Sequence, residues 1–176
     1  MKRFFVGMGL IVLFLSCDKI DELTKFNIDY DSSVVIESSA NISLPFDVLT
    51  PEMETNSESE FEVNDTRKDL IEEIILTELS LDITAPDNQD FSFLESIEVF
   101  ISAEDLEEQR ITYVEDVPDT VGTTLDLGTS DLDLKEYIKK DKFQLRLNTV
   151  TDKALTQDVH IDVHSVFFVD AKILGL

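Results

Sequence analysis

The sequence is short of several things at once. It has one cysteine, no tryptophan, two histidines, five glycines and four prolines in 176 residues. A lone thiol has no partner within the chain, which excludes a disulfide framework. Scarce glycine and proline, with no internal repeat, exclude a low-complexity chain. Positive charge is scarce too: 14 Lys and Arg stand against 38 Asp and Glu, a net charge of −24. Such a surface repels phosphate backbones, so nucleic-acid binding is excluded. It also repels anionic headgroups, so no basic patch holds it to a membrane. The Gly-x-Ser-x-Gly elbow, the Walker loop and the Rossmann glycine fingerprint are all missing. Lack of tryptophan weakens a sugar-binding platform, for which Tyr30, Tyr113, Tyr137 or an exposed Phe would have to substitute. What the chain does have is 43% hydrophobic residues. That is enough to bury a core and leave the disordered class, and the length suits one domain.

The N-terminus carries the most specific signal. Lys2 and Arg3 precede twelve uninterrupted apolar or glycine residues, Phe4 to Leu15. That run is too short for a spanning helix, which needs roughly 20 residues, and suits the core of a signal peptide. Both leader cations lie in a stretch without acids, so residues 17–176 hold 12 cations against 38 acids, a balance of −26. Phe14-Leu15-Ser16-Cys17 resembles the lipobox of bacterial lipoproteins. The resemblance implies that residues 1–16 are removed and that Cys17 becomes an acylated first residue carrying palmitate. Several acyl chains would then hold the protein to the outer membrane, where one chain is marginal. Asp18-Lys19-Ile20-Asp21-Glu22 resembles the acidic stretch of surface-exported Bacteroidetes lipoproteins; the resemblance implies a chain that is periplasmic or surface-exposed, while a solvated tether is the alternative reading of the same residues. The organisation expected is a signal peptide over 1–16, an acidic tether over 17–25 and one domain over 26–176.

Beyond the tether, apolar and polar residues alternate with the two-residue period of half-buried strands. The alternating sets are Phe26, Ile28 and Tyr30; Ile42, Leu44, Phe46 and Val48; Leu79, Leu81 and Ile83; Ile97, Val99 and Ile101; Phe143, Leu145 and Leu147. The longest is the last, Val159, Ile161, Val163, Phe167, Val169, Ala171 and Ile173. Shorter strands are expected near 60–63, 110–115 and 122–127. Two helices are expected between them. Thr66 and Asp69 form a capping pair ahead of Leu70, Ile71, Ile74 and Ile75 at helical spacing. Ser130 pairs similarly with Asp133, ahead of Leu134, Tyr137 and Ile138, with Lys139 and Lys140 at the favourable C-terminal end. Short strands with one buried face define an all-β fold, an antiparallel immunoglobulin-like β-sandwich with two short helices in its connections. A closed lipocalin-like barrel shares the same alternation and is the alternative. Leu79–Ser102 and Leu134–Phe168 resemble, in pattern, the small uncharacterised β-sandwich lipoproteins of Bacteroidetes. That resemblance implies a fold and a compartment, not an activity.

Three groups of residues are candidates for chemistry. His160, Asp162 and His164 alternate along the last strand and so share its polar face, a ligand set suited to zinc. Residues i and i+4 of a strand lie roughly 13 Å apart, however, which strains a single-ion site. Asp87 and Asp90 follow Pro86, while Glu104, Asp105, Glu107 and Glu108, and then Glu115, Asp116 and Asp119, form further acidic turns. Oxygen-rich loops suit calcium, the one cofactor candidate, although none has EF-hand spacing. Asp119-Thr120-Val121 resembles a Bacteroidetes O-glycosylation sequon, with Thr120 as the acceptor. Phe100, Val166 and Phe168 fall on nominally outer faces, as a second apolar layer or a contact patch. The function expected is non-enzymatic binding or scaffolding of an envelope or surface protein or glycan. A calcium- or metal-dependent adhesion module, and an enzyme using carboxylates that the sequence does not single out, are the alternatives.

Overall fold

The computed structural model describes residues 24–40 and 42–172. The leader and most of the tether, Cys17 included, lie outside the described residues, as does Ile173. The strands are β1 (Lys25–Ile36), β2 (Phe46–Leu49), β3 (Met53–Glu54), β4 (Ile71–Ala85), β5 (Leu94–Ala103), β6 (Gln109–Val114), β7 (Thr124–Leu127), β8 (Lys142–Thr151) and β9 (Val159–Ala171). Two helices, α1 (Ser57–Val63) and α2 (Lys135–Ile138), and single 3-10 turns at Lys68–Leu70 and Phe91–Phe93 fill connections.

The antiparallel all-β sandwich expected from the alternation is the fold observed. One sheet runs β1-β9-β4-β7 and the other β2-β8-β5-β6, with β3 also on β8. No ladder joins the two sheets among the described strands, so the barrel is not formed. β2 and β3 lie in line along β8 on either side of Thr50, which exchanges backbone and hydroxyl bonds of 3.0 Å with Leu145. Counted as one strand, they make the pairing nested: β1 with β9, β2/β3 with β8, β4 with β7, β5 with β6. The immunoglobulin-like expectation therefore holds at the level of a two-layer antiparallel sandwich, and the strand order within it is that of a jelly roll.

Between the sheets the inward residues form one core. Tyr30 of β1 and Phe167 of β9 meet Phe143 of β8 edge to face, with ring centroids 5.0 to 5.9 Å apart. This trio joins the sheets, and the Tyr30 hydroxyl reaches a partner by donating to the Thr55 carbonyl at 2.9 Å. Phe61 of α1 closes one end of the core against Phe26.

Four local expectations are corrected. The helix expected over Leu70–Ile75 is instead the last residue of the 3-10 turn and the start of β4. β-Bulges near Ile71/Glu73 and Leu76/Glu78 each insert a residue, so the buried positions run Ile71, Ile74, Leu76, Leu79 and Leu81. Those three-residue steps imitate a helical face, while the β-branched residues Ile71, Ile74, Ile75 and Thr77 favour the strand. Thr66 does not cap a helix there; its amide donates to the Phe61 carbonyl and its hydroxyl to that of Lys172. The converse error lies just upstream. Phe61 and Val63 imitate strand alternation within α1, yet Phe61 is buried and Val63 is 76% exposed. The second helix is present but shorter than expected. Ser130 donates its hydroxyl to Ile111, the cap position falls on Leu134 without a side-chain bond, and Asp133 ahead of it accepts from the amides of Lys135 at 3.1 Å and Ile74 at 3.2 Å. Ahead of β2, Ser43 takes a left-handed φ of 58°. That turn breaks the alternation and leaves Ile42 and Leu44 47% and 58% exposed.

Candidate functional site

β9 does present His160, Asp162 and His164 on the outer face of its sheet. Its neighbours set the surroundings. Asp31 and Ser80 flank His164, Ser33 and Asp82 flank Asp162, and Val35 and Ala85 flank His160. The strand holds the two imidazoles apart, as its rise requires. Among the described residues, no three His, Cys, Asp or Glu side chains come together as a metal ion needs. The His-Asp-His set is thus a polar face, not a converged ligand set. His164 instead pairs with Asp31, Nδ1 to Oδ1 at 2.7 Å. A groove of about 520 Å³ beside the pair is lined by Asp31, Ser33, Glu52, Glu54 and Asp162.

The hydrogen bond that His164 donates to Asp31, with Asp31, Glu78 and Asp29 supplying negative potential, raises the His164 pKa. Its ordinary value is about 6.5. A raised folded-state pKa gives stability that is complete below the unfolded value and fades as pH rises through the folded one. Asp31→Asn is expected to return the His164 pKa toward its ordinary value and remove that pH dependence. An NMR titration of the ring checks this, and an unmoved pKa would contradict it.

The acidic turns have local structural uses. The Asp90 Oδ1 accepts from the Ser92 amide at 3.0 Å and caps the turn that places buried Phe91 and Phe93. Bonds from the Ser92 side chain and backbone hold its carboxyl below the usual range. Asp87 is exposed in the same loop. Asp105 and Asp116 sit at φ of 58° and 56°, a left-handed conformation that Asp tolerates better than most residues, so they serve where glycine is scarce. Glu108 binds Arg146, and Asp119 binds Lys153. Thr120 is exposed in a turn closed by the Val121 amide on the Pro118 carbonyl at 3.0 Å.

The second sheet carries an outer network that sequence reading missed. Arg146 of β8 forks onto Glu108, Nε to Oε1 at 2.8 Å and Nη2 to Oε2 at 2.6 Å. Its Nη1 reaches Asp47 Oδ1 at 2.6 Å, which also accepts from Asn148 at 2.7 Å. The guanidinium lies over the Phe100 ring, 4.1 Å from its centroid. Phe100 is therefore roofed by a cation, a use that its outward position alone did not reveal. Beside it, Arg110 pairs with Glu98 and lies 4.6 Å from the Tyr113 ring centroid. The one available signal was the alternation of Glu98, Phe100 and Ser102 with the core residues of β5. The charge partners arrive from elsewhere in the chain. Val166 and Phe168 are half-buried on the other sheet, Phe168 beside Ile75 and Val166 beside Glu78.

Fold and faces together define a sandwich with one acidic, histidine-bearing outer face and one charge-paired outer face. Compared with protein-family models and with curated proteins, the chain matches none.

Proposed function

We propose that the protein is a lipid-anchored, non-enzymatic binding module of the bacterial outer membrane, acylated at Cys17 and presenting its sandwich to an envelope or surface partner. The observation that carries this reading is the placement of the two ends. β1 begins at Lys25, eight residues after the lipobox cysteine, and runs twelve residues before its first loop. At about 3.3 Å per residue it covers roughly 40 Å. The register puts Ile36 beside Val159, Ala85 beside His160 and Leu94 beside Thr151, so the described loop residues at 37–40, 42–45, 86–93 and 152–158 gather at the end opposite Lys25, where β1 begins. These loops are tied to one another and to the 115–123 loop. Ser38 donates to Asp158 at 2.8 Å, Asp152 to Phe93 at 3.0 Å and Phe91 to Gly122 at 3.1 Å. A cross-linked loop end opposite the start of β1 is an arrangement that suits a binding module.

Five carboxylates are held as anions and are poorly suited to donate a proton. Asp47, Asp90, Glu108, Asp133 and Asp158 are all pulled below the usual carboxylate range, stabilised as anions by hydrogen bonds and cations. A carboxylic acid serving as a proton donor at neutral pH needs the opposite displacement. Cys17→Ser is expected to abolish incorporation of labelled palmitate and to move the protein out of the membrane fraction. A Cys17→Ser chain that stays labelled and membrane-bound would overturn the reading.

A further inference from the structure

The outer face of the β2-β8-β5-β6 sheet is built of planar groups held in fixed orientations. Register sets two rows across it: Leu49, Arg146, Phe100 and Arg110 in one, Asp47, Asn148, Glu98 and Tyr113 in the other. Arg110 and Arg146 are two of the four arginines in the chain, and each is both carboxylate-paired and stacked on an aromatic ring. The rings, guanidiniums and amide are therefore oriented by mutual contacts before any ligand arrives, which lowers the ordering cost of binding. Tyr113 ends its row at the sheet edge with 53% of its surface exposed. Next to it a groove of about 400 Å³ is lined by Arg110, Tyr113, Gly128, Thr129 and Ser130.

We propose that this face binds a neutral oligosaccharide. Tyr113 supplies the stacking surface for a pyranose ring, and Glu98, Asn148 and Asp47 exchange hydrogen bonds with hydroxyls along the row. Charge selects this class of ligand. In a protein of net charge −24, both guanidiniums here are already matched by Glu98, Glu108 and Asp47. No unpaired cation remains for an anionic ligand, and the paired charges still offer directional polar contacts to an uncharged polyol. A protein partner fits less well. The exposed large apolar residues on these rows are Leu49 and Tyr113, too few for the desolvated centre of a protein interface.

The inference specifies the ligand of the binding role proposed above and rests on that role. Its test is calorimetric titration of the membrane-extracted protein in detergent with a panel of neutral hexasaccharides, from α- and β-glucans, xylan, mannan and galactan. At least one is expected to bind saturably. Tyr113→Ala should weaken that binding about tenfold, a difference of about 1.4 kcal/mol, while Tyr113→Phe should retain it and Asn148→Ala should weaken it. Tyr113 is at an exposed edge, and an unchanged melting temperature verifies that its variants fold. No binding across the panel at millimolar sugar, or binding that Tyr113→Ala leaves unchanged, would overturn the inference. Either failure leaves the fate of Cys17→Ser untouched, so the two proposals fail separately.

Discussion

Phe167→Ala is expected to remove about 3–5 kcal/mol of stability, the usual cost of emptying a buried phenylalanine site. Phe167 has no exposed surface, and its ring contacts both Tyr30 and Phe143. Its loss therefore opens a cavity where the two sheets meet and removes two of the trio's three edge-to-face contacts, one of them the contact to Phe143 across the sheets. For a domain whose total stability is about 5–15 kcal/mol, that is a large fraction. The melting temperature should fall by about 6–20 °C, from roughly 2–4 °C per kcal/mol at this size. The next residue is the control. Phe168 is on the opposite, half-buried face, so Phe168→Ala should cost far less. Denaturant unfolding of both variants tests the β9 register directly, because a slip of one residue would exchange their roles. Equal losses would contradict the register.

Arg146→Ala is expected to cost about 1–3 kcal/mol, the worth of hydrogen bonds to charged groups discounted for their exposure. The substitution removes the fork on Glu108, the bond to Asp47 and the roof over Phe100 together. Half-exposed Asp47 and partly exposed Glu108 keep the figure at this modest level, since solvent screens them. The sign of the pH effect follows from the carboxylates. Asp47 is held low by Asn148 and Arg146, and Glu108 by Arg146. A lowered folded-state pKa gives stability that is present above the ordinary carboxylate range and lost as pH falls through the lowered value. Arg146→Ala should accordingly flatten the acid side of the stability profile, and Arg146→Lys should restore charge without the fork. Guanidine unfolding between pH 3 and 7 checks both; an acid limb of undiminished slope would contradict the assignment.

Much of this fold is legible in the sequence because burial on one face writes a two-residue period. β5, β8 and β9 are read correctly for that reason. Reading fails where backbone geometry changes the period. Bulges in β4 turn a strand into a three-residue pattern, and seven residues of α1 place Phe61 and Val63 two apart like a strand. Ser43 ends the alternation before β2 by a left-handed turn that a serine does not announce. The jelly-roll order is invisible locally, because it depends on Lys25 finding Asp170 and Leu49 finding Arg146. The same distance hides the charge-paired face. Its members come from β2, β5, β6, β8 and the turn holding Glu108, and none carries a motif. The polar face of β9 was legible, since one strand writes all of it, but its separation from a metal site is a matter of rise per residue. That separation is the 13 Å problem already present in the sequence.

The measurement that bears most directly on the whole account is the intact mass of the protein extracted from its native membrane. The account predicts a chain beginning at Cys17, lighter by residues 1–16 and heavier by the acyl groups on that residue. A mass equal to the unmodified 176-residue chain, or a mature chain that begins elsewhere without lipid, would contradict it.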